Sequence, residues 1–263
     1  MRRSPNLQVM VQAAQKAARA LARDFGEVEQ LQVSLKGPGD FVSAADRRAE
    51  EIITEELKRA RPNFAILAEE AGEAAGDEPQ PGARWIIDPL DGTTNFLHGL
   101  PHFAISIACE MNGELVAAVV LDPIKQELFT ADRGQGAWMN GRRLRVSARK
   151  DLQQAIVACG MPVLNWEGRE RGFMAQLDRV SARVAGIRRW GAASLDLAYV
   201  AAGRYDGFWE FGLKPWDVAA GIVLLREAGG QISRLEGEGL LTRGTLVAAN
   251  PQLHPALTGL LES

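Results

Sequence analysis

The chain has 263 residues, 46% hydrophobic and 24% charged, with a net charge of −3. That is the make-up of a globular protein with a sizeable core, in one large domain or two packed subdomains; it excludes a disordered chain and a whole-surface attraction to nucleic acid or anionic membrane. Two cysteines in apolar surroundings, Cys109 and Cys159, predict buried free thiols, and three histidines without a C-x-x-C exclude the usual zinc patterns. No apolar segment follows Met1-Arg2-Arg3 and no run of ~18 apolar residues exists, so the expected location is the cytoplasm.

Leu7, Val11, Ala14, Ala18, Leu21 and Phe25 recur every three or four residues and predict an amphipathic helix ending near Gly26. Val33 to Phe41 contains Lys36-Gly37-Pro38-Gly39-Asp40, the tip of a mobile hairpin. Ser43 caps a second helix over about Ala44 to Ala60, with Asp46 in its first turn. Phe64 to Leu67 reads as a strand followed by Glu69-Glu70, and Ala71 to Ala83 as a surface excursion without order. Strands over His102 to Met111, Leu115 to Asp122 and Glu127 to Ala131 form a meander turning at Asn112-Gly113 and Asp122-Pro123. Further strand pieces, Gly136 to Met139 and Leu144 to Val146, flank Asn140-Gly141.

The second half alternates. Strands are expected at Ala155 to Cys159, Gly186 to Trp190, Gly207 to Phe211, Gly230 to Ser233 and Leu246 to Ala249. Helices are expected at Arg169 to Ala182, Leu195 to Ala202, Trp216 to Ala228 and Gln252 to Leu261. An antiparallel-rich first half and an alternating second half predict layered α and β, with subdomains of roughly 1–150 and 151–263.

The chemistry concentrates in Trp85 to Phe96, W-I-I-D-P-L-D-G-T-T-N-F. A short apolar strand end is stopped by Asp88-Pro89, and Asp91 follows three residues later. A tight turn with Pro89 at its first central position brings its two ends within ~7 Å. Two carboxylates that close repel by roughly 4 kcal/mol at 4 Å and an effective dielectric of 20, which a cation between them removes. Gly92 allows close backbone approach, and Thr93, Thr94 and Asn95 open a helix whose free N–H groups suit a phosphate. Taken alone, D-P-L-D-G also reads as an ordinary turn.

The motif resembles the signature of the inositol monophosphatase family, carried by Asp88, Pro89, Asp91, Gly92, Thr93, Asn95 and Phe96. A second signature of that family, W-D-x-A-A-G, is matched by Trp216-Asp217-Val218-Ala219-Ala220-Gly221. The likeness covers nearly the whole chain and is greatest to the bacterial inositol-1-phosphatase branch. It implies an αβαβα sandwich with the site between the halves, a Mg²⁺-dependent, Li⁺-sensitive phosphatase and a homodimer. It implies that Glu69, Asp88, Asp91, Asp217 and the Leu90 carbonyl hold two metal ions, Mg²⁺ or Mn²⁺, and that a third binds weakly near Lys36 on the mobile loop. Glu69 and Thr93 would position and deprotonate the attacking water, with Asp46 behind Thr93. Gly92 and Thr93 N–H groups would hold the phosphate.

Asp91, Asp217, Glu210 and Gly191-Ala192-Ala193 would meet the polyol, although Ala192 stands where that family carries a hydroxyl residue, and Ser194 is not assumed to substitute. His98 reads as a packing or hydrogen-bonding residue at a helix end, and the basic cluster Arg142, Arg143, Arg145, Arg149 and Lys150 as a solvated face.

The leading expectation is hydrolysis of myo-inositol 1-phosphate. The same metal core serves fructose 1,6-bisphosphate, 3′-phosphoadenosine 5′-phosphate and histidinol phosphate. The expectation from another class is a regulatory protein that binds a transcription complex.

Overall fold

The computed structural model describes residues 3–27, 33–37, 40–161, 169–236, 238–242 and 244–262. Helix α1 (Pro5–Phe25) starts where Ser4 accepts the Leu7 N–H through its hydroxyl and Pro5 needs no partner for an N–H. Strands β1 (Val33–Gly37) and β2 (Asp40–Ser43) pair antiparallel, as a hairpin requires; its tip at 38–39 and the Lys36 side chain lie outside the described residues. Helix α2 (Ala44–Ala60) opens on a capping box in which Ser43 and Asp46 satisfy each other's N–H groups.

The first sheet has eight strands: β3 (Ala65–Ala68), β4 (Gly72–Ala74), β5 (Ala83–Asp91), β6 (Ala104–Met111), β7 (Glu114–Asp122), β8 (Glu127–Asp132), β9 (Gly136–Met139) and β10 (Arg142–Arg143). Their order is β10-β9-β8-β7-β6-β5-β3-β4; only β3 and β5 run parallel. Helix α3 (Thr93–Leu97) leaves the end of β5. Along β5, Trp85 and Ile87 point to the α1/α2 side and Ile86 to the opposite side, all three at most 1% exposed. Side chains alternate across a strand, so a sheet buried on both faces needs an unbroken apolar run.

The second sheet follows. Its strands are β11 (Ile156–Cys159), β12 (Gly186–Arg188), β13 (Gly207–Phe211), β14 (Gln231–Arg234) and β15 (Thr245–Ala249), ordered β12-β11-β13-β15-β14. Helices α5 (Ala193–Ala201) and α6 (Pro215–Glu227) lie between the sheets: Leu195, Leu197, Ile222 and Leu224 join Ile86 and Val120 on one side, Phe208 and Ala248 on the other. Helices α4 (Arg169–Ser181) and α7 (His254–Glu262) cover the far face through Phe173, Val180 and Leu257, against Trp209 and Val247. The result is the expected αβαβα sandwich. Gly221 sets the α5–α6 approach, since a Cβ there would sit 2.4 Å from Leu197 Cδ1.

Three local expectations are corrected. Ala71 to Ala83 is not structureless: β4 adds an edge strand there, held because Glu50 accepts the N–H groups of Glu70 and Ala71 at 2.9 and 2.8 Å. The strand expected at Leu144 to Val146 lies earlier, at β10, because Asn140 and Gly141 both adopt positive φ (47° and 79°) and their two-residue turn sets Arg142 opposite Met139. Asp88-Pro89 does not end its strand. β5 continues to Asp91 through a slip in its register against β6, so the two acids stand on a bulge rather than in a free turn. Cys109 and Cys159 are buried free thiols, as expected. Among the described residues no helix is long and apolar enough to cross a membrane.

Candidate active site

The ends of β3 and β5 meet the starts of α2, α5 and α6 at one cleft, and each element delivers an acidic or hydroxyl side chain. Glu69 follows β3, and its N–H donates to the Ile87 carbonyl at 3.2 Å, which ties it to the motif strand. On the bulge, the Leu90 N–H donates to Asp88 Oδ1 at 3.0 Å. Pro89 has no N–H to offer the ladder, which suits it to this slip. Gly92 caps α3 in the left-handed region (φ 94°), where a Cβ would press against the His102 carbonyl at 3.1 Å.

Thr93, the first residue of α3, lies against α2: its hydroxyl oxygen is 2.9 Å from Asp46 Oδ1 and 3.0 Å from the Leu90 carbonyl. A hydroxyl has one proton to donate, so these two acceptors compete for it. Asp46 is fully buried, and its Oδ2 accepts the Ser43 N–H at 2.8 Å and the Ser43 hydroxyl at 2.6 Å. Burial raises its pKa, and the bonds from Ser43 and Thr93 oppose the rise.

Asp88, Asp91, Asp217 and Glu69 act on one another through space. Burial first, then the charges of Glu69, Asp91 and Asp217, push Asp88 well above the usual carboxylate range. Asp217 is pushed well up by burial and Asp91. Asp91 rises to about 6 through burial, held back by Ser194, whose N–H donates to its Oδ2 at 2.7 Å and whose hydroxyl donates to the same oxygen. Asp217 doubles as a helix cap: its Oδ2 accepts the Lys214 N–H at 2.6 Å.

Among the described residues, no three His, Cys, Asp or Glu side chains already close into a metal-holding cluster. The donor set nevertheless fits a hard cation, because every group is a carboxylate or carbonyl oxygen and the carboxylates disfavour one another's charge.

Glu210, at the end of β13, also faces this group; burial, then Asp196, Asp217 and Asp91, raise its pKa well above normal. Gly191 and Ala192 lead into α5, with Ala193 its first residue; Ala192 is 1% exposed and serves as the helix's N-cap. His98 Nδ1 lies 2.8 Å from the Thr94 carbonyl, the helix-end role expected of it. The basic residues 142, 143, 145, 149 and 150 are exposed, and Arg149 pairs with Asp206.

Four contacts escaped the sequence reading. Ser194 grips Asp91, Glu50 holds the turn after Glu69, Asp196 lies buried near Asp91, and Gly160 leaves room for the Glu210 carboxyl, which occupies the place a Cβ would take. Only the Glu50 position, one helix face from Asp46 on α2, carried any local signal, and its partner is distant in the chain.

The sequence model of the inositol monophosphatase family matches residues 2–263. The chain is 57% identical over 258 residues to the inositol-1-monophosphatase of Mesorhizobium japonicum, covering 98% of this chain and 96% of the relative. It is 48% identical over 255 residues to the Nus factor SuhB of Pseudomonas aeruginosa, covering 96% and 94% respectively. The crystal structure of the extragenic suppressor protein suhB from Bartonella henselae superposes with a TM-score of 0.94 at 52% identity, covering 99% of each chain. With its two signatures brought to one cleft in the same five-layered fold, the chain belongs to the inositol monophosphatase family and is a phosphatase.

Proposed function

We propose that the chain hydrolyses a small phosphate monoester, with myo-inositol 1-phosphate as its leading substrate, at the cleft between β5, α2 and α6. The observation that carries this reading is the convergence of Glu69, Asp88, Asp91 and Asp217 beside the Thr93–Asp46 pair. The Mesorhizobium relative's name supports the substrate. Glu69, Asp88, Asp91, Asp217 and the Leu90 carbonyl are the groups that would hold Mg²⁺ or Mn²⁺. Such an ion, when bound, supplies an acidified water and charge stabilisation at the leaving oxygen.

The chain's own residues do the rest. With its proton directed at Asp46, the Thr93 hydroxyl turns a lone pair towards the cleft, where it accepts from the attacking water together with Glu69. Asp46, tied by Ser43, keeps Thr93 in that rotamer. The N–H groups of Gly92 and Thr93 receive the phosphate at the start of α3. Glu210 accepts from a substrate hydroxyl, and the Gly191-Ala192-Ala193 backbone lines the same side. Lys36 on the β1–β2 hairpin, a weak third ion, Li⁺ inhibition and a homodimer complete the reading from the family resemblance. We read the chain as one domain of two packed halves: the first sheet draws its strands from 65–143, the second from 156–249.

Phosphate release with Mg²⁺ tests this across inositol 1-phosphate, fructose 1,6-bisphosphate, 3′-phosphoadenosine 5′-phosphate, histidinol phosphate and glycerol 2-phosphate. The expected result is the highest kcat/KM on inositol 1-phosphate, abolished by EDTA and by Asp88→Asn. A preference for another compound moves the substrate, and activity that survives both controls overturns the metal assignment. The Pseudomonas relative named a Nus factor favours a second reading, a role in a transcription complex; a pull-down of that complex unchanged by Asp88→Asn would support it.

A further inference from the structure

We propose that Ser194 is a positioning residue for the metal centre: it occupies one oxygen of Asp91 with two hydrogen bonds and leaves the other oxygen to face the ion. This rests on the metal-dependent phosphatase reading above.

Helix α5 starts without a side-chain cap of its own. Ala192 stands at its N-cap and has no polar side-chain atom to offer. The first N–H groups of a helix have no partner within it. Asp91, 103 positions earlier in the chain, supplies the missing acceptor: its Oδ2 takes the Ser194 N–H at 2.7 Å. Ala193, the first residue of the helix, also directs its N–H at this carboxyl. A carboxylate at a helix start is favoured by the helix dipole as well.

Ser194 adds a second bond through its side chain. Its hydroxyl donates to the same Oδ2, and the residue is fully buried. An ionised carboxylate has about four lone-pair sites over its two oxygens. The two bonds from Ser194 use the share of Oδ2, so the carboxyl is fixed in rotation and meets an ion through Oδ1. Hydrogen bonds that orient a ligand in this way set how tightly the metal is held.

Two rival roles exist. Ser194 lies two residues after Ala192, where a hydroxyl would meet the polyol, but its single hydroxyl proton is given to Asp91. The other rival is a helix cap with no part in metal binding. Ser194→Ala separates all three roles, because alanine suits a helix and retains the backbone N–H bond to Asp91. Mn²⁺ binding is measured by calorimetry on wild type, Ser194→Ala and Asp91→Asn. Metal-free urea unfolding and kinetics on myo-inositol 1-phosphate over a range of Mg²⁺ accompany it.

The expected result for Ser194→Ala is a Mn²⁺ Kd weakened about tenfold and a Mg²⁺ requirement raised to match. At saturating Mg²⁺ the KM for the inositol ester should equal that of wild type. An unchanged Mn²⁺ Kd overturns the proposal and leaves the phosphatase reading intact. A lowered metal-free urea midpoint would then assign Ser194 to the cap alone, and a raised KM would assign it to the polyol. Wild-type Mn²⁺ binding that is absent, or that persists unchanged in Asp91→Asn, overturns the Asp91 ligand assignment and this proposal together.

Discussion

The Thr93 hydroxyl lies 2.9 Å from Asp46 Oδ1, joining the first residue of α3 to the third residue of α2 across 47 positions of chain. One carboxyl therefore both caps a helix and orients the group we assign to the attacking water. The two duties separate by substitution. Asp46→Asn keeps a carbonyl acceptor yet loses the charge, and Thr93→Ala removes the hydroxyl without touching the cap. Thr93→Ala is expected to lower kcat by roughly 10², with Asp46→Asn affecting kcat in the same direction. Asp46→Ala should also cost about 1 kcal/mol of stability through the lost cap. Steady-state kinetics beside urea unfolding checks all three, and a normal kcat in Thr93→Ala removes it from the mechanism.

Gly160 and Glu210 occupy one space. A Cβ on Gly160 would fall 1.7 Å from the Glu210 carboxyl carbon, the far end of a flexible side chain. Gly160→Ala should therefore fold nearly normally, displace that carboxyl and raise KM for a polyol phosphate about tenfold. An unchanged KM would show that Glu210 does not touch substrate.

Gly221 closes the signature W-D-x-A-A-G for a packing reason. Its absent Cβ is the space taken by Leu197 Cδ1 and Cβ, 2.4 and 2.6 Å from the ideal position. Gly221→Ala should destabilise by about 1–3 kcal/mol through overpacking between α5 and α6, read as a lowered urea midpoint.

His102 gives a pH-dependent contribution to stability away from the acid cluster. It is 5% exposed, packs against the Trp190 ring at a tilt of 32° and faces Lys125 and Asp122. Burial, then Lys125, push its pKa down to about 4, with Asp122 opposing. The unfolded ring titrates near 6.5. Between those values the unfolded chain binds the extra proton, so stability rises with pH from about 4 to about 6.5 and is level above. On going from pH 7 to 4.5, the wild type should lose about 2 kcal/mol more unfolding free energy than His102→Asn. Equal losses in the two proteins would contradict the buried neutral ring.

Local pattern determined most of the elements and the identity of the acids. Ser43 before Ala44 marks a helix start, W-I-I before Asp88 marks a buried strand end, and the two signatures name Asp88, Asp91 and Asp217. These rest on interactions within a few residues, where periodicity and capping leave a direct trace in the chain. Elements were missed where pairing overrode composition. Gly72–Ala74 is poor strand material but finds an edge of β3, and β5 runs past Pro89 because β6 holds both sides of the slip.

The tertiary structure alone decided which side chains hold the acids in place. Ser194 reaches Asp91 over 103 positions, Thr93 reaches Asp46 over 47, and Glu50 holds the turn 20 and 21 residues away. Gly160 matters only because β11 and β13 are neighbours in the second sheet, which sets Gly160 against the Glu210 carboxyl. Hydrogen bonds and electrostatic fields act through space and leave no periodic mark along the sequence. The chemistry was thus legible as residue types, while its geometry came from long-range packing.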